Sequence, residues 1–427
     1  MFATQCSRKT LSSLSACFFK VSLSIKRARS IRIRQKSEVI EMHLTKKELF
    51  EAINLARPLL IIFICIAHIP EVKGYISTSD QWLEFGSLVP VFILDFLARG
   101  AVPILTAISG YLAYHSYQKR AYANLVREKS IRLLWPYIVW NFIAICVYWL
   151  VFYNFDHEIA NVSQIVDNVN AFSTALLGLN LNMPINVSTY FVRDLFVIIL
   201  FIPFIDILTR YWSLTAIVLL SVVAVLWQVP SIVLHIGEFR ETILFRVDMI
   251  FFFILGYILS RNKILPKNPR TASLVLSITL IVVVGTLVSM CLSYFEPSAS
   301  VFNRLRLLMG LFFIVMIPAI FKLLLLSQKT KIGSVLSFLS PYSFTLFLSH
   351  IVITQLFQYV FWNLLGWKET ESAPSLLFIS YMISYIGFLV MGAILIRNGW
   401  LWLQSILIRL KLTALARSKP KELNKAG

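Results

Sequence analysis

From about residue 50 onward, apolar residues come in long runs rather than at the spacing of one buried face. Each run is close to the ~20 residues an α-helix needs to cross the hydrocarbon core of a bilayer. The runs fall at about 50–70, 93–116, 131–153, 190–209, 213–230, 246–260, 272–294, 304–326, 343–364 and 374–397. This pattern predicts an all-α, polytopic membrane helical bundle of about ten transmembrane helices. No internal repeat of the kind that marks many transporters is evident.

The polar connections fix the orientation. One set is basic: Lys46 and Lys47, the stretch HSYQKRAYANLVREKSIR, Arg210, RNKILPKNPR, the Lys329–Lys331 loop and the C-terminal tail. The alternating set is poor in Lys and Arg, and the long connection 154–189 has neither. Positive charge concentrates on the cytoplasmic side of membrane proteins, so both termini are predicted to be cytoplasmic and 154–189 to lie outside. That connection is long enough for a lid or a re-entrant piece over a cavity. It also holds formal glycosylation triplets at Asn161 and Asn186.

Composition agrees with lipid as the solvent. The 427 residues are 58% hydrophobic and 14% charged, against about 25% charged in a typical soluble domain. Mean hydropathy is +0.76. The net charge of +19 would suit a nucleic-acid binder, but the cations sit in short runs between apolar segments, so nucleic acid is not expected as a partner. The five cysteines show no paired spacing, and neither a disulfide framework nor a metal site is expected. Residues 1–41 are basic, serine-rich and acid-poor, and are read as a disordered or non-native extension ahead of a start near Met42. The transmembrane domain is then 42–400, with 401–427 a basic cytoplasmic tail.

Ionisable residues inside apolar spans are costly and point to function. The first span, ARPLLIIFICIAHIP, holds Arg57 and His68 eleven residues apart. In an α-helix that is three turns plus about 20°, so they share a face about 16 Å apart. Taken singly, Arg57 reads as a snorkelling anchor and His68 as an interfacial residue. In the second span Arg99 has Asp95 one turn away to neutralise it, and Gly110 permits close helix contact, with Ser109 a packing residue rather than a nucleophile. The fourth span opens with Arg193 and Asp194, which on spacing alone form an ion pair at the outer membrane surface. In the ninth, SFTLFLSHIVITQLF, His350 is expected about two turns in from the cytoplasmic side, either functional or satisfied by a neighbouring helix.

Together these segments resemble the acyltransferase 3 family of membrane acyltransferases, over about residues 45–397 and in family order. The resemblance is carried by Arg57 and His68, by RGAVPILTAISGYL (99–112), by RLLWPYIVWN (132–141), by YFVRDLF (190–196) and by FTLFLSHIVI (344–353). One departure is Ile-Leu-Thr ahead of Ser109, where many members carry paired aromatics. The resemblance implies an O-acyltransferase in a bacterial inner membrane. It would move an acyl group, acetyl above all, from acyl-CoA to a hydroxyl of a cell-envelope polysaccharide or its lipid-linked precursor. By the same resemblance His68 is the catalytic histidine and Arg57 part of the donor site. Arg99, Arg193, Asp194 and His350 complete the candidate donor- and substrate-binding set. Acyl-CoA would be a co-substrate, with no permanently bound cofactor.

The chemistry fits those residue types. A histidine can remove the proton of a hydroxyl as it attacks a thioester carbonyl, or carry the acyl group transiently. A guanidinium forks onto phosphate oxygens. The rival readings are a transporter or flippase, with Arg57, Arg99, Arg193 and His350 lining a path, and a glycan polymerase, whose outer loop would be expected to carry cations that 154–189 lacks.

Overall fold

The computed structural model describes residues 44–69, 91–152, 169–178, 184–211, 215, 231–236, 241–264, 269, 271–295, 299–358, 360 and 375–418. The first helix, α1 (Lys46–Ile66), starts where the sequence provides a reciprocal cap. The Thr45 hydroxyl accepts from the Glu48 backbone N–H at 3.2 Å, and the Glu48 carboxylate accepts from the Thr45 N–H at 2.8 Å. The α-helix closes at Ile66, earlier than the expected end near 70, because the last N–H groups shift to i−3 carbonyls: His68 to Cys65 and Ile69 to Ile66, both at 3.1 Å. Its buried positions surround the helix axis (Ala52, Leu55, Leu60, Ile64 and Cys65 among them), since α1 runs through the middle of the bundle.

The next rod is a π-helical turn, Phe92–Leu97, continued by α2 (Ala98–Lys119). Then come α3 (Tyr122–Lys129), a second π-helical turn (Ser130–Leu134) and α4 (Trp135–Phe152). A short helix α5 (Val169–Leu177) and a 3₁₀ turn (Val187–Thr189) lead into α6 (Tyr190–Leu200). Two antiparallel strands follow, β1 (Ser231–Ile236) and β2 (Glu241–Arg246), with Ser231 opposite Arg246 and Ile236 opposite Glu241. The remaining helices are α7 (Val247–Arg261), α8 (Thr271–Phe295), α9 (Ala299–Ser327), α10 (Lys331–Leu339), α11 (Ser343–Gln358) and α12 (Ser375–Ser418). The 3₁₀ turn Ser340–Tyr342 joins α10 to α11 in one rod.

Among the described residues, seven helical stretches are long and apolar enough to cross a membrane. They match the first, second, third, seventh, eighth, ninth and tenth expected spans. The fifth, 213–230, lies almost wholly outside the described residues. The sequence did not foretell the β-hairpin; SIVLHI and ETILFR are short apolar runs that periodicity does not separate from helix. The molecule is an all-α polytopic membrane protein apart from that hairpin.

The tightest seam is between α2 and α7. A methyl group placed on Gly110 would meet the backbone carbonyl of Phe253, and one on Gly256 the carbonyl of Ala107, so the two backbones touch. The Ser109 hydroxyl donates to the Leu105 carbonyl of its own helix at 2.8 Å, in keeping with a packing role. By contrast α8 leaves Val275, Leu276, Val282 and Leu287 exposed on the outside of the bundle, as a lipid-facing helix does.

Candidate functional site

His68 stands just past the end of α1, and its ring meets that of His350 with centroids 5.3 Å apart and planes tilted by 44°. His350 was expected two turns in from the cytoplasmic side, but its helical rod starts at Lys331 rather than near Ser343. It is therefore about 28 Å along from Lys331, and His68 about 33 Å from Lys46, at 1.5 Å per residue. Both histidines lie towards the end of the bundle far from Lys46 and Lys331. His350 is fully buried (0% exposed) and its Nδ1 is 2.6 Å from the Phe347 carbonyl. A carbonyl only accepts, so Nδ1 carries the proton and Nε2 presents a lone pair. That Nε2 is buried and has no hydrogen-bond partner among the described residues.

Around this pair the helices are pinned by polar contacts. Thr354 Oγ1 donates to the His350 carbonyl at 2.6 Å and is 2.7 Å from the Tyr385 hydroxyl. The Tyr385 hydroxyl in turn donates to the Cys65 carbonyl at 3.1 Å, three residues before His68. On the other side, Asn186 Nδ2 donates to the Leu348 carbonyl at 2.7 Å. Asn141 Oδ1 accepts from the Asn186 N–H at 3.1 Å, and Asn141 Nδ2 donates to Thr189 Oγ1 at 2.9 Å. Asn141, Asn186, Ser188 and Thr189 are all buried, so the asparagine of the second glycosylation triplet is a structural member of the site wall. Asn161 lies outside the described residues.

Sequence reasoning missed Asn141, Asn186 and Tyr385. The available signal was a carboxamide or hydroxyl in an apolar run, which in a membrane helix calls for an interhelical partner.

Arg57 lies about 16 Å back along α1, half-buried, and the structure gives it no ion pair or hydrogen bond with a described residue. The tightened turn at 66–69 rotates His68 roughly 40° further from Arg57 than a continuous α-helix would. The Lys129 ammonium is within electrostatic range of Arg57, Arg120 and Arg132. Glu128 binds both Arg120 and Arg132, the latter at 3.0 Å, but one carboxylate offsets only one of those two charges, so Arg57 and Lys129 sit in a locally positive setting. The sequence placed Lys129 only in a basic loop.

The other candidates take separate places. Arg99 is held by Asp95 as expected, Nε to Oδ1 at 2.8 Å and Nη2 to Oδ1 at 2.7 Å, with Asp95 on the π-helical turn. Arg193 and Asp194 are not at the surface: they are 6% and 1% exposed. The covering elements are distant in sequence. Arg193 Nε donates to Asp194 Oδ1 at 2.9 Å, and its Nη1 donates to the Gly178 carbonyl at 2.9 Å. Gly178 has φ +65°, a conformation that suits glycine, and a Cβ there would crowd Arg193. Asp194 Oδ2 accepts from the Arg246 N–H at 3.4 Å. The Arg246 guanidinium bonds Asp248 (Nε to Oδ1, 3.1 Å) and the Tyr190 hydroxyl (2.6 Å). The four charges balance, and they lock α6 to the hairpin and to the end of α5.

Comparison with known proteins accords with this arrangement. Over 180 residues the chain is 31% identical to the succinoglycan biosynthesis protein ExoH of Rhizobium meliloti (strain 1021), covering 40% of this chain and 46% of that one. It is 26% identical over 87 residues to the nodulation protein NolL of Sinorhizobium fredii (strain NBRC 101917 / NGR234), covering 20% of this chain and 22% of that one. The chain thus spans less than half the length of these relatives. No solved structure matches it. The acyltransferase domain family matches residues 50–398, which run from the second turn of α1 to the middle of α12 and include all six candidate site residues, and this multi-pass membrane protein belongs to that family.

Proposed function

We propose that the protein is an O-acyltransferase of a bacterial inner membrane. It moves an acyl group, acetyl in the simplest case, from acyl-CoA to a hydroxyl of a cell-envelope polysaccharide or its lipid-linked precursor. The observation that carries this reading is a histidine pair near the outer end of α1, with an uncompensated cation on the same helix about 16 Å towards the basic side. Arg57 and Lys129 suit the phosphates of a nucleotide thioester arriving from the cytoplasm. A pantetheine arm is long enough to carry the thioester to His68. There a hydroxyl is a poor nucleophile until a base takes its proton, and His68 supplies the base or the transient acyl acceptor. The polysaccharide acceptor is supported by similarity to a protein of succinoglycan biosynthesis.

The test is transfer of labelled acetyl from acetyl-CoA to glycan in membrane vesicles, with wild type and His68→Ala compared. Loss of a general base costs typically 10²–10⁴-fold. Label that stays with the donor in wild-type vesicles, while a labelled solute crosses the membrane, would favour a transporter and end this reading.

A further inference from the structure

His350 is built for one narrow task. Its Nδ1–H is committed to the Phe347 carbonyl, its ring is fully buried, and its remaining nitrogen is a lone-pair donor with no described partner, beside the His68 ring. A ring nitrogen lies about 1.1 Å from its centroid, so at 5.3 Å between centroids two nitrogens turned towards each other are about 3 Å apart, a hydrogen-bond length. His350 Nε2 makes no such bond here, and catalytic hydrogen bonds are often long without substrate and tighten in the complex. A core histidine needs no such poise. His350 is held from three directions: by Phe347, by Thr354 on its own carbonyl, and by Tyr385, whose one hydroxyl proton is shared between Thr354 Oγ1 at 2.7 Å and the Cys65 carbonyl at 3.1 Å, on the helix end that bears His68. The two rings are thus set relative to each other by polar contacts through α1, α11 and α12.

We propose that His350 is a positioning residue for His68: its Nε2 accepts a hydrogen bond from the His68 N–H, which fixes the tautomer that faces the acceptor and steadies the imidazolium that forms. The proposal rests on His68 being the base in the reading above. In the step itself the acceptor O–H bond breaks and its proton goes to the outward-facing nitrogen of His68, while the oxygen bonds to the acyl carbon. The C–S bond then breaks with its electron pair on sulfur, and the thiolate takes the proton from His68. His350 stays neutral throughout and gains or loses no proton.

The side-chain lengths of asparagine and glutamine supply the test. The carbonyl oxygen of Gln reaches the place of Nε2, whereas Asn reaches only that of Nδ1. In native membranes lacking the chromosomal copy and carrying each full-length variant, labelled acetyl transfer from acetyl-CoA to the endogenous glycan gives a maximal rate and a KM for acetyl-CoA. H350N is expected to lose at least about 100-fold in maximal rate and H350Q less than about 10-fold, both with KM within twofold of wild type. The double variant H68A/H350N should transfer no more slowly than H68A. Equal loss in the two His350 variants, a raised KM for acetyl-CoA, or no loss in H350N would overturn the positioning role. If H350N fails to insert, as judged by size-exclusion profile in detergent, H350Q against wild type decides alone: a loss above 100-fold in a folded protein refutes the proposal, and a loss below 10-fold upholds it. Activity that survives in H68A would instead overturn the reading of His68, a separate failure.

Discussion

Two arginines of the candidate site should behave in opposite ways when truncated, and the contrast tests the division between donor binding and scaffold. Arg57 has no ion pair among the described residues, so Arg57→Ala leaves no carboxylate behind. Its cost should fall on the ligand. A hydrogen bond to a charged group is worth about 1.5–3 kcal/mol, which is about 10- to 150-fold in the KM for acyl-CoA. Arg57→Lys should recover part of this, because the charge remains while the planar fork is lost. Arg193→Ala, by contrast, leaves Asp194 at 1% exposure without its main cation and the Gly178 carbonyl without its donor. Breaking a buried pair by removing one partner costs about 3–5 kcal/mol. The assay is thermal unfolding of each purified variant in one detergent, beside KM for acetyl-CoA in vesicles. Arg57→Ala should unfold within a degree or two of wild type with a raised KM, and Arg193→Ala should unfold markedly earlier. A destabilised Arg57→Ala with unchanged KM would refute the reasoning.

Other outcomes follow from particular contacts. Gly256→Val should abolish accumulation of folded protein, read by size-exclusion profile, because the backbone carbonyl of Ala107 cannot move aside as a side chain could. Asn186, fully buried and bonded to the Leu348 carbonyl, should carry no glycan when the chain is made in a eukaryotic secretory pathway, so Asn186→Gln should not change the glycosidase-sensitive mobility. Cysteines introduced at Lys263 and Val187 should react with an impermeant thiol reagent from opposite faces, and labelling of both from one face would break the assigned orientation. One alanine inserted between Ile62 and Phe63 turns His68 by about 100° relative to Arg57, so transfer should vanish although insertion into the membrane persists.

The helices were legible because membrane spans announce themselves by length and apolarity alone. Arg99 and Asp95 were legible too, since one helical turn brings them together whatever else the chain does. What the sequence concealed was contact between distant segments. Arg193 and Asp194 looked like a surface pair because adjacent opposite charges at a helix start usually are one; their burial comes from Gly178 and Arg246, 15 residues before and 52 after the residues they bond. The start of the rod that carries His350 was set too late because Ser340–Pro341 reads as a break, whereas the chain passes through it in a 3₁₀ turn and keeps one rod from Lys331. The encounter of His68 with His350 joins parts of the chain separated by nearly 300 residues, and no local pattern encodes it.

The contact of Gly110 and Gly256 with opposing backbone also limits how the protein can move. Side chains between helices can hop rotamers and let the helices slip, but two backbones in direct contact offer nothing that can give. The pair α2 and α7 must therefore travel as one rigid body, and because the two helices run parallel (Tyr114 meets Tyr257 as Ala107 meets Gly256), the π-helical turn that carries Asp95 and the hairpin lie at the same end of it. The α1, α11 and α12 group joined at Tyr385 is a separate set of contacts, so breathing between it and this body needs no break in either. The two histidines ride on the second group, so a gap could widen beside them without changing the distance between them.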